Sequence, residues 1–171
     1  MPASGNGRIL IVGLAPGVHG ANKTGIPFTG DASGELLFKV LNKLRLSNDV
    51  RITNAVKCVP QQNKPKTSEI NNCQKFLTQE LTMHFEREGP KVILALGQIA
   101  HLAVLKARGY QRKDFPFGHG KVHSLDSQHS LDSQQWLVNS YHCSRYNTQT
   151  GRLTEAMFEA AIISARDLSL D

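Results

Sequence analysis

The chain has 171 residues, of which 40% are hydrophobic and 20% charged, and this length and composition suit one domain over residues 1–171 with one core. Lysine and arginine number 20 against 14 acidic residues, and a net charge of +6 favours a polyanionic partner such as nucleic acid. No apolar run reaches the length of a membrane span and the first eight residues carry no signal-peptide pattern, so we expect a cytoplasmic protein.

Short apolar runs alternate with longer amphipathic segments along the chain. Four runs rich in β-branched residues predict buried strands at Arg8–Gly13, Val50–Val56, Val92–Leu96 and Trp136–Tyr141. Apolar residues at helical spacing predict helices at Ser33–Leu46, Thr67–Glu88, Gly97–Arg108 and Thr154–Leu168. The second helix should bury Ile70, Phe76, Leu77, Leu81 and Phe85. This alternation predicts a three-layer α/β/α sandwich around a four-stranded, mainly parallel sheet.

One segment breaks this alternation. The hexapeptide His-Ser-Leu-Asp-Ser-Gln occupies residues 123–128 and is repeated without change at residues 129–134. It lies between predicted elements, where insertions are tolerated, so we interpret it as a duplication in a surface loop. A histidine-based metal site is a weaker alternative.

A glycine-rich loop, Gly13–Asp31, follows the first predicted strand and therefore lies at the carboxyl edge of the sheet, where α/β proteins bind ligands. Its glycines allow a ligand to approach the backbone closely. Gly17–Thr24 also matches a phosphate-binding P-loop, except that Asn22 replaces the second glycine, and Gly25–Pro27 blocks the helix that a P-loop requires. A structural loop without a ligand is the other alternative.

Two later blocks bring single polar residues to strand ends. Asn54 lies within the apolar strand segment of Ile52–Pro60, where it is either a structural amide or a group that donates and accepts at a pyrimidine edge. His142 opens the polar block Tyr141–Thr154 directly after the last predicted strand. If the strands are parallel, His142 meets Gly13 at one edge, and the arginine and tyrosine that follow suit contact with nucleic acid.

In chain order, Gly-x-Ala-Pro-Gly, Thr-Gly-x-Pro-Phe-Thr-Gly-Asp, Thr-Asn-Ala-Val-Lys-Cys and His-x-Ser-x-x-Asn-x-x-Thr-Gly-Arg-Leu-Thr resemble the motifs of the iron–sulfur uracil-DNA glycosylases, above all their "b" branch, type 5. The resemblance extends over nearly the whole chain from Arg8 onward. It implies a monomeric hydrolase of base excision repair that flips uracil out of DNA and cuts its N-glycosidic bond, leaving an abasic site. Hypoxanthine and other deaminated bases are further substrates to consider.

The resemblance also implies roles for individual residues. Phe28 would stack on the flipped uracil, Asn54 would distinguish its edge from that of cytosine, and His142 would stabilise negative charge growing on the uracil O2. Main-chain N–H groups around Gly13 and Leu14 would help, and the substrate site would comprise Gly13, Leu14, Ala15, Phe28 and Asn54. The DNA-binding residues would be Ser144, Arg145, Tyr146 and Asn147.

Leu14 stands where most related branches carry a polar residue that positions the attacking water. Leucine can neither accept a proton nor orient water, which fits the "b" branch. Asp31 is then the nearest candidate carboxylate, to stabilise the sugar cation or activate water. An equally weighted alternative is that Asp31 caps the helix that starts near Ser33.

The cysteines depart from the family pattern. The family binds a 4Fe–4S cluster through four cysteines, and Cys58 and Cys73 match the second pair. The first pair normally precedes the first strand, but Met1–Arg8 contains no cysteine. Cys143 belongs to the active-site motif. We therefore expect an incomplete or absent cluster, in a chain shortened at its N-terminus or one that has lost the group.

Two other functions stay open on the sequence. A glycosylase-like protein that binds DNA without cutting it is the first alternative, because the segment that normally precedes the first strand is missing. A different α/β enzyme that acts on nucleotides is the second.

Overall fold

The computed structural model describes residues 7–17, 20–61, 64–125 and 134–170. A single five-stranded sheet organises these residues, in the strand order β2-β1-β3-β5-β4. The strands are β1 Ile9–Gly13, β2 Val50–Asn54, β3 Lys91–Leu96, β4 Val122–Ser124 and β5 Gln135–Ser140. The four predicted strands pair in parallel, and β4 pairs antiparallel with β5. The prediction of a mainly parallel sheet is confirmed, whereas its count of four strands was one short.

Six α-helices lie within the described ranges. They are α1 Ala21–Thr24, α2 Ala32–Lys43, α3 Thr67–Phe85, α4 Gln98–Arg108, α5 Arg145–Gln149 and α6 Glu155–Leu168. The four long helices match the predicted ones, and the two short ones, α1 and α5, lie in segments that the sequence indicated as loops. None of the described helices is both long and apolar enough to span a lipid bilayer.

Two hydrophobic layers sandwich the sheet. Successive residues of β1 alternate between them, because side chains along a strand point to opposite faces: Ile9 and Ile11 pack with α2 and α6, and Leu10 and Val12 with α3 and α4. The strand interiors are almost fully buried on both sides. Helices thus cover both faces of the sheet, which confirms the predicted three-layer α/β/α sandwich.

One local prediction was wrong. Phe76 is 45% exposed, because the buried stripe of α3 passes instead through Cys73, Leu77, Leu81 and His84, which leaves Phe76 on the outer face. Another is confirmed: Asp31 is the N-cap of α2, and its side-chain Oδ1 accepts a hydrogen bond of 2.8 Å from the Gly34 N–H.

The tandem hexapeptide begins inside a strand rather than in a loop. His123 and Ser124 belong to β4, and Leu125 is buried. The Leu125 N–H donates to the Gln135 carbonyl at 2.7 Å, which extends the pairing to the start of β5. Residues 126–133 lie outside the described ranges, so the predicted surface duplication and the alternative metal site stay untested there.

Candidate active site

The polar blocks that follow β1 and β5 meet at the carboxyl edge of the sheet. Between them lies a cavity of about 600 Å³, a size typical of small-ligand sites. The residues that line it are Leu14, Ala15, Pro16, Gly17, Phe28, Asp31, Ala32, Ser33, Pro60, His142, Ser144 and Arg145. The parallel arrangement therefore brings together most of the predicted substrate residues from segments that are far apart in the chain.

Phe28 forms one wall of the cavity and has an unusual backbone. Its φ of 60° lies in the left-handed region, which non-glycine residues rarely adopt outside functional or strained sites. Two glycines make room for it. A Cβ on Gly34 would collide with the Phe28 carbonyl oxygen, and a Cβ on Gly13 would collide with the Phe28 ring. The start of α2 and the end of β1 thus fix both the backbone and the ring of Phe28.

His142 lines the same cavity. The amide of Asn147 donates to its carbonyl oxygen at 2.8 Å, and a Cβ on Gly97 would lie 3.3 Å from its Cβ, so main-chain contacts hold the residue on two sides. Burial lowers the pKa of the imidazole, and the nearby Asp31 carboxylate partly opposes this shift. A neutral imidazole at neutral pH can donate one N–H to a substrate oxygen.

Asp31 combines the two functions that the sequence left as alternatives. Its Oδ1 caps α2 through the Gly34 N–H. Its Oδ2 points toward the glycine loop, where Cβ atoms on Gly17 and Gly20 would lie 2.8 and 3.2 Å away, and the residue lines the cavity. One oxygen is therefore structural while the other remains available to a ligand.

The loop between β1 and α2 is not a P-loop. Helix α1 ends at Thr24 and is closed by Gly25 with φ of 71°, whereas a P-loop begins its helix at the Lys-Thr pair. Leu14 lines the cavity with an apolar side chain, as the sequence indicated. Among the described residues that line this cavity, the only carboxylate is Asp31.

Asn54 does not line this cavity, contrary to its predicted place in the uracil pocket. It lines a second cavity of about 470 Å³, together with Thr53, Lys57 and Glu80. Its side-chain oxygen and the Phe28 ring meet over Gly13, where a Cβ would lie 2.5 Å from the Asn54 Oδ1. Asn54 is 5% exposed, and this buried Oδ1 has no hydrogen-bond partner. Phe28, which lines the main cavity, and Asn54, which lines the second, are therefore neighbours across Gly13.

The predicted DNA-binding segment forms the short helix α5. The Ser144 Oγ accepts a hydrogen bond of 3.4 Å from the Asn147 N–H and so caps this helix. Arg145 is exposed at the rim of the cavity and Tyr146 is 71% exposed. The Asn147 amide, in contrast, is engaged with the His142 carbonyl. Arg145 and Tyr146 are free to meet a ligand, while Ser144 and Asn147 hold the segment in place.

A neighbouring cavity of about 420 Å³ was not foreseen. It shares Leu14 and His142 with the main cavity and is also lined by the first residues of α4 and by Arg152. The Arg152 guanidinium lies 4.6 Å from the centre of the Tyr141 ring. Helix α4 has no side-chain N-cap, so its first N–H groups lack that partner. A strand followed directly by a glycine and a helix at this same edge was the sequence signal that could have indicated this cavity.

The cysteines do not fit a four-cysteine cluster. Cys58 is exposed and lies beside the buried Cys73; local loss of hydration, together with the neighbouring Cys73 thiol, raises the pKa of Cys58. Cys143 contacts the Ser33 carbonyl instead, and burial raises its pKa to about 12. Within the described ranges, no three histidine, cysteine or acidic side chains gather into a metal site. Two adjacent thiols supply half of the four ligands that a 4Fe–4S cluster takes.

Known proteins with similar sequences agree with the motifs. The model of the uracil DNA glycosylase superfamily matches residues 3–166. A type-5 uracil-DNA glycosylase from Thermus thermophilus is 41% identical, over 95% of this chain and 76% of the relative. One from Pyrobaculum aerophilum is 40% identical, over 95% of this chain and 73% of the relative. A type-4 uracil-DNA glycosylase from Saccharolobus solfataricus is 31% identical, over the whole of this chain and 79% of the relative.

Proposed function

The chain belongs to the uracil DNA glycosylase superfamily, and we propose that it hydrolyses the N-glycosidic bond of uracil in DNA and leaves an abasic site for repair. One observation carries the proposal at the level of the site. Phe28 and His142, to which the resemblance assigns base stacking and anion stabilisation, line one cavity at the carboxyl edge of the sheet with Asp31, our candidate for cation stabilisation. An aromatic ring, a carboxylate and a hydrogen-bond donor are the three chemistries that this bond cleavage needs.

Cleavage begins with a base outside the helix. A flipped uracil in the cavity would stack on Phe28, which lines this cavity together with His142. As the bond to the sugar breaks, negative charge accumulates on the uracil O2. The neutral His142 imidazole donates an N–H to that oxygen. Donation of this kind in a water-poor site strengthens as the charge develops and so favours the transition state.

The sugar becomes cationic as the base leaves. Asp31 lines the cavity with its Oδ2 directed toward the glycine loop, and its carboxylate would stabilise such a cation or accept a proton from water. Leu14 offers no acceptor at its position. Asp31 therefore takes the water-activating role that a polar residue at position 14 would otherwise have.

Base selection falls to Asn54. Its buried Oδ1 lacks a donor, and the N3–H of uracil would supply one, whereas the N3 of cytosine would not. The Asn54 Oδ1 and the Phe28 ring both lie beside Gly13, so a base stacked on Phe28 would lie near this amide. The cavity volume of about 600 Å³ also admits a purine such as hypoxanthine.

DNA contact is assigned to the exposed residues around the cavity mouth. Arg145 and Tyr146 project from α5 beside the cavity, and their charge and aromatic ring suit a phosphate and an unstacked base. The uncapped start of α4 and Arg152 line the adjoining cavity and provide further donors to phosphate.

A gel assay with a uracil-containing oligonucleotide, followed by alkaline cleavage, tests the proposal. Enzyme in excess over DNA should convert the uracil strand to a shortened product, and a matched thymine oligonucleotide should stay intact. Binding to the uracil duplex without any abasic product would favour the DNA-binding alternative. A parallel hypoxanthine oligonucleotide measures the breadth of the substrate range.

A further inference from the structure

Lys57 lies at the centre of a compact hydrogen-bonded group that lines the second cavity. Its ammonium donates to three oxygen atoms: Glu80 Oε2 at 2.6 Å, Thr53 Oγ1 at 2.7 Å and the main-chain oxygen of Asn54 at 2.8 Å. The Thr53 hydroxyl in turn donates to the same Glu80 oxygen at 2.9 Å. A lysine has three N–H donors, so all of them are used and the ammonium has one fixed position.

The Asn54 contact follows from the topology of the sheet. β2 is an edge strand, so every second residue turns its main-chain groups away from the sheet, toward no other strand. Ala55 donates to the Gly13 carbonyl, which turns the neighbouring Asn54 carbonyl outward. Lys57 supplies the partner that this carbonyl would otherwise lack. Asn54 is thereby held between β1 on one side and an ammonium on the other.

The main chain of Lys57 is fixed as well. Its N–H donates to the Cys73 Sγ at 3.3 Å, which ties the turn after β2 to helix α3. The side chains of Lys57 and Glu80 are 26% and 34% exposed, so the pair is only partly accessible to water. A salt bridge that served general stability alone would not need to contact the main chain of a base-reading residue.

We propose that Lys57, anchored by Glu80 and Thr53, is a positioning residue that sets the Asn54 amide in place to read the base. This inference rests on the proposed function. The Asn54 amide has no side-chain partner of its own at Oδ1, so its position depends on its main chain and on packing against Gly13 and Phe28. Displacement of a base-contacting group by about 1 Å can cost about a hundredfold in rate.

The test is a double-mutant cycle on single-turnover uracil release, with Lys57→Met, Asn54→Ala and the double variant. Lys43→Met is the matched control, because Lys43 also forms a 2.6 Å ion pair, with Glu159, on the surface away from the cavity. Lys57→Met should slow release about ten- to a hundredfold relative to this control, with DNA affinity within twofold of it. In the Asn54→Ala background the same change should have no further effect.

The outcomes separate the two proposals. Wild-type protein that releases no uracil overturns the proposed function and this inference with it. Active wild-type protein, with Lys57→Met equal to the control or with its full effect retained in the Asn54→Ala background, overturns the inference alone. If Lys57→Met does not fold, Glu80→Gln keeps an acceptor while removing the anchoring charge. Glu80→Gln should then slow uracil release about three- to tenfold when Asn54 is present, and have no effect in the Asn54→Ala background. A loss below twofold in the presence of Asn54 overturns the inference.

Discussion

The ring of Phe28 and the imidazole of His142 lie 6.3 Å apart between centroids, with their planes inclined by 26°. The two residues come from segments after β1 and β5, which are separated in the sheet by β3. The two rings can approach each other only when both strands are paired in the sheet. The candidate site thus depends on the whole parallel sheet rather than on any one motif. The role of each side chain in the site can be tested separately.

Replacement of His142 tests its role in stabilising negative charge on the leaving uracil. His142→Ala should reduce single-turnover uracil release about a hundred- to a thousandfold, the loss typical of removing one oxyanion donor. Circular dichroism should show an unchanged fold, because the side chain is only partly buried. His142→Gln keeps an N–H donor and should recover part of the loss. An unchanged rate in His142→Ala removes this residue from the mechanism.

Two variants separate the structural oxygen of Asp31 from the catalytic one. Asp31→Asn keeps an N-cap of equal quality but removes the charge, so release should slow at least tenfold with little change in stability. Asp31→Ala should add a stability loss of about 1 kcal/mol, measured by urea denaturation. Thr154→Ala is the control, because Thr154 caps α6 away from the cavity. This variant should lose stability and keep its activity. Release by Asp31→Asn within twofold of wild type contradicts the catalytic role.

His84 should make the stability of the fold depend on pH. Burial lowers its pKa from 6.5 to about 4, although the hydrogen bond to the Val92 carbonyl opposes the shift. The unfolded chain therefore binds the proton first, between pH 6.5 and 4. Above pH 6.5, His84 is neutral in both states and the unfolding free energy keeps its full value. By pH 5, protonation of His84 in the unfolded chain lowers the unfolding free energy by about 2 kcal/mol.

Urea denaturation at pH 7.5 and pH 5 measures this effect. His84→Gln should show a smaller loss of unfolding free energy than wild type between the two values, by about the same 2 kcal/mol. An identical pH dependence in the two proteins would show that His84 titrates normally in the folded state.

Metal analysis tests the cysteine pair. The three cysteines of the sequence cannot supply four thiolates, and Cys143 lies apart from the other two. Purified protein should therefore contain fewer than four iron atoms and four acid-labile sulfides per chain. Four of each would require ligands other than these cysteines, and would overturn the expectation.

The strands and long helices could be predicted because each carries its own periodic burial pattern. Short runs of buried β-branched residues mark β1 and β3, and both are buried along their whole length. The missed strand, Val122–Ser124, has three residues, none of them fully buried, so it forms only because β5 offers a free edge. The short helices α1 and α5 contain five residues or fewer and depend on the caps and turns around them.

The candidate site was predictable only in part. Motif order brought Phe28, Asp31 and His142 to one cavity, whereas Asn54 lines a second one. The left-handed backbone of Phe28 accompanies tertiary contacts with Gly34 and Gly13, which no local pattern reveals. The two oxygens of Asp31 serve different partners, so a choice between cap and catalyst could not be made on the sequence.

The hairpin between β4 and β5 has a consequence for how this chain can vary. Leu125, in the first copy of the hexapeptide, pairs with the start of β5, whereas His142 follows the end of that strand, about 20 Å away along six residues. We therefore expect a change of length between Leu125 and Gln135 to leave the candidate site in place, because it would occur at the opposite end of the strand.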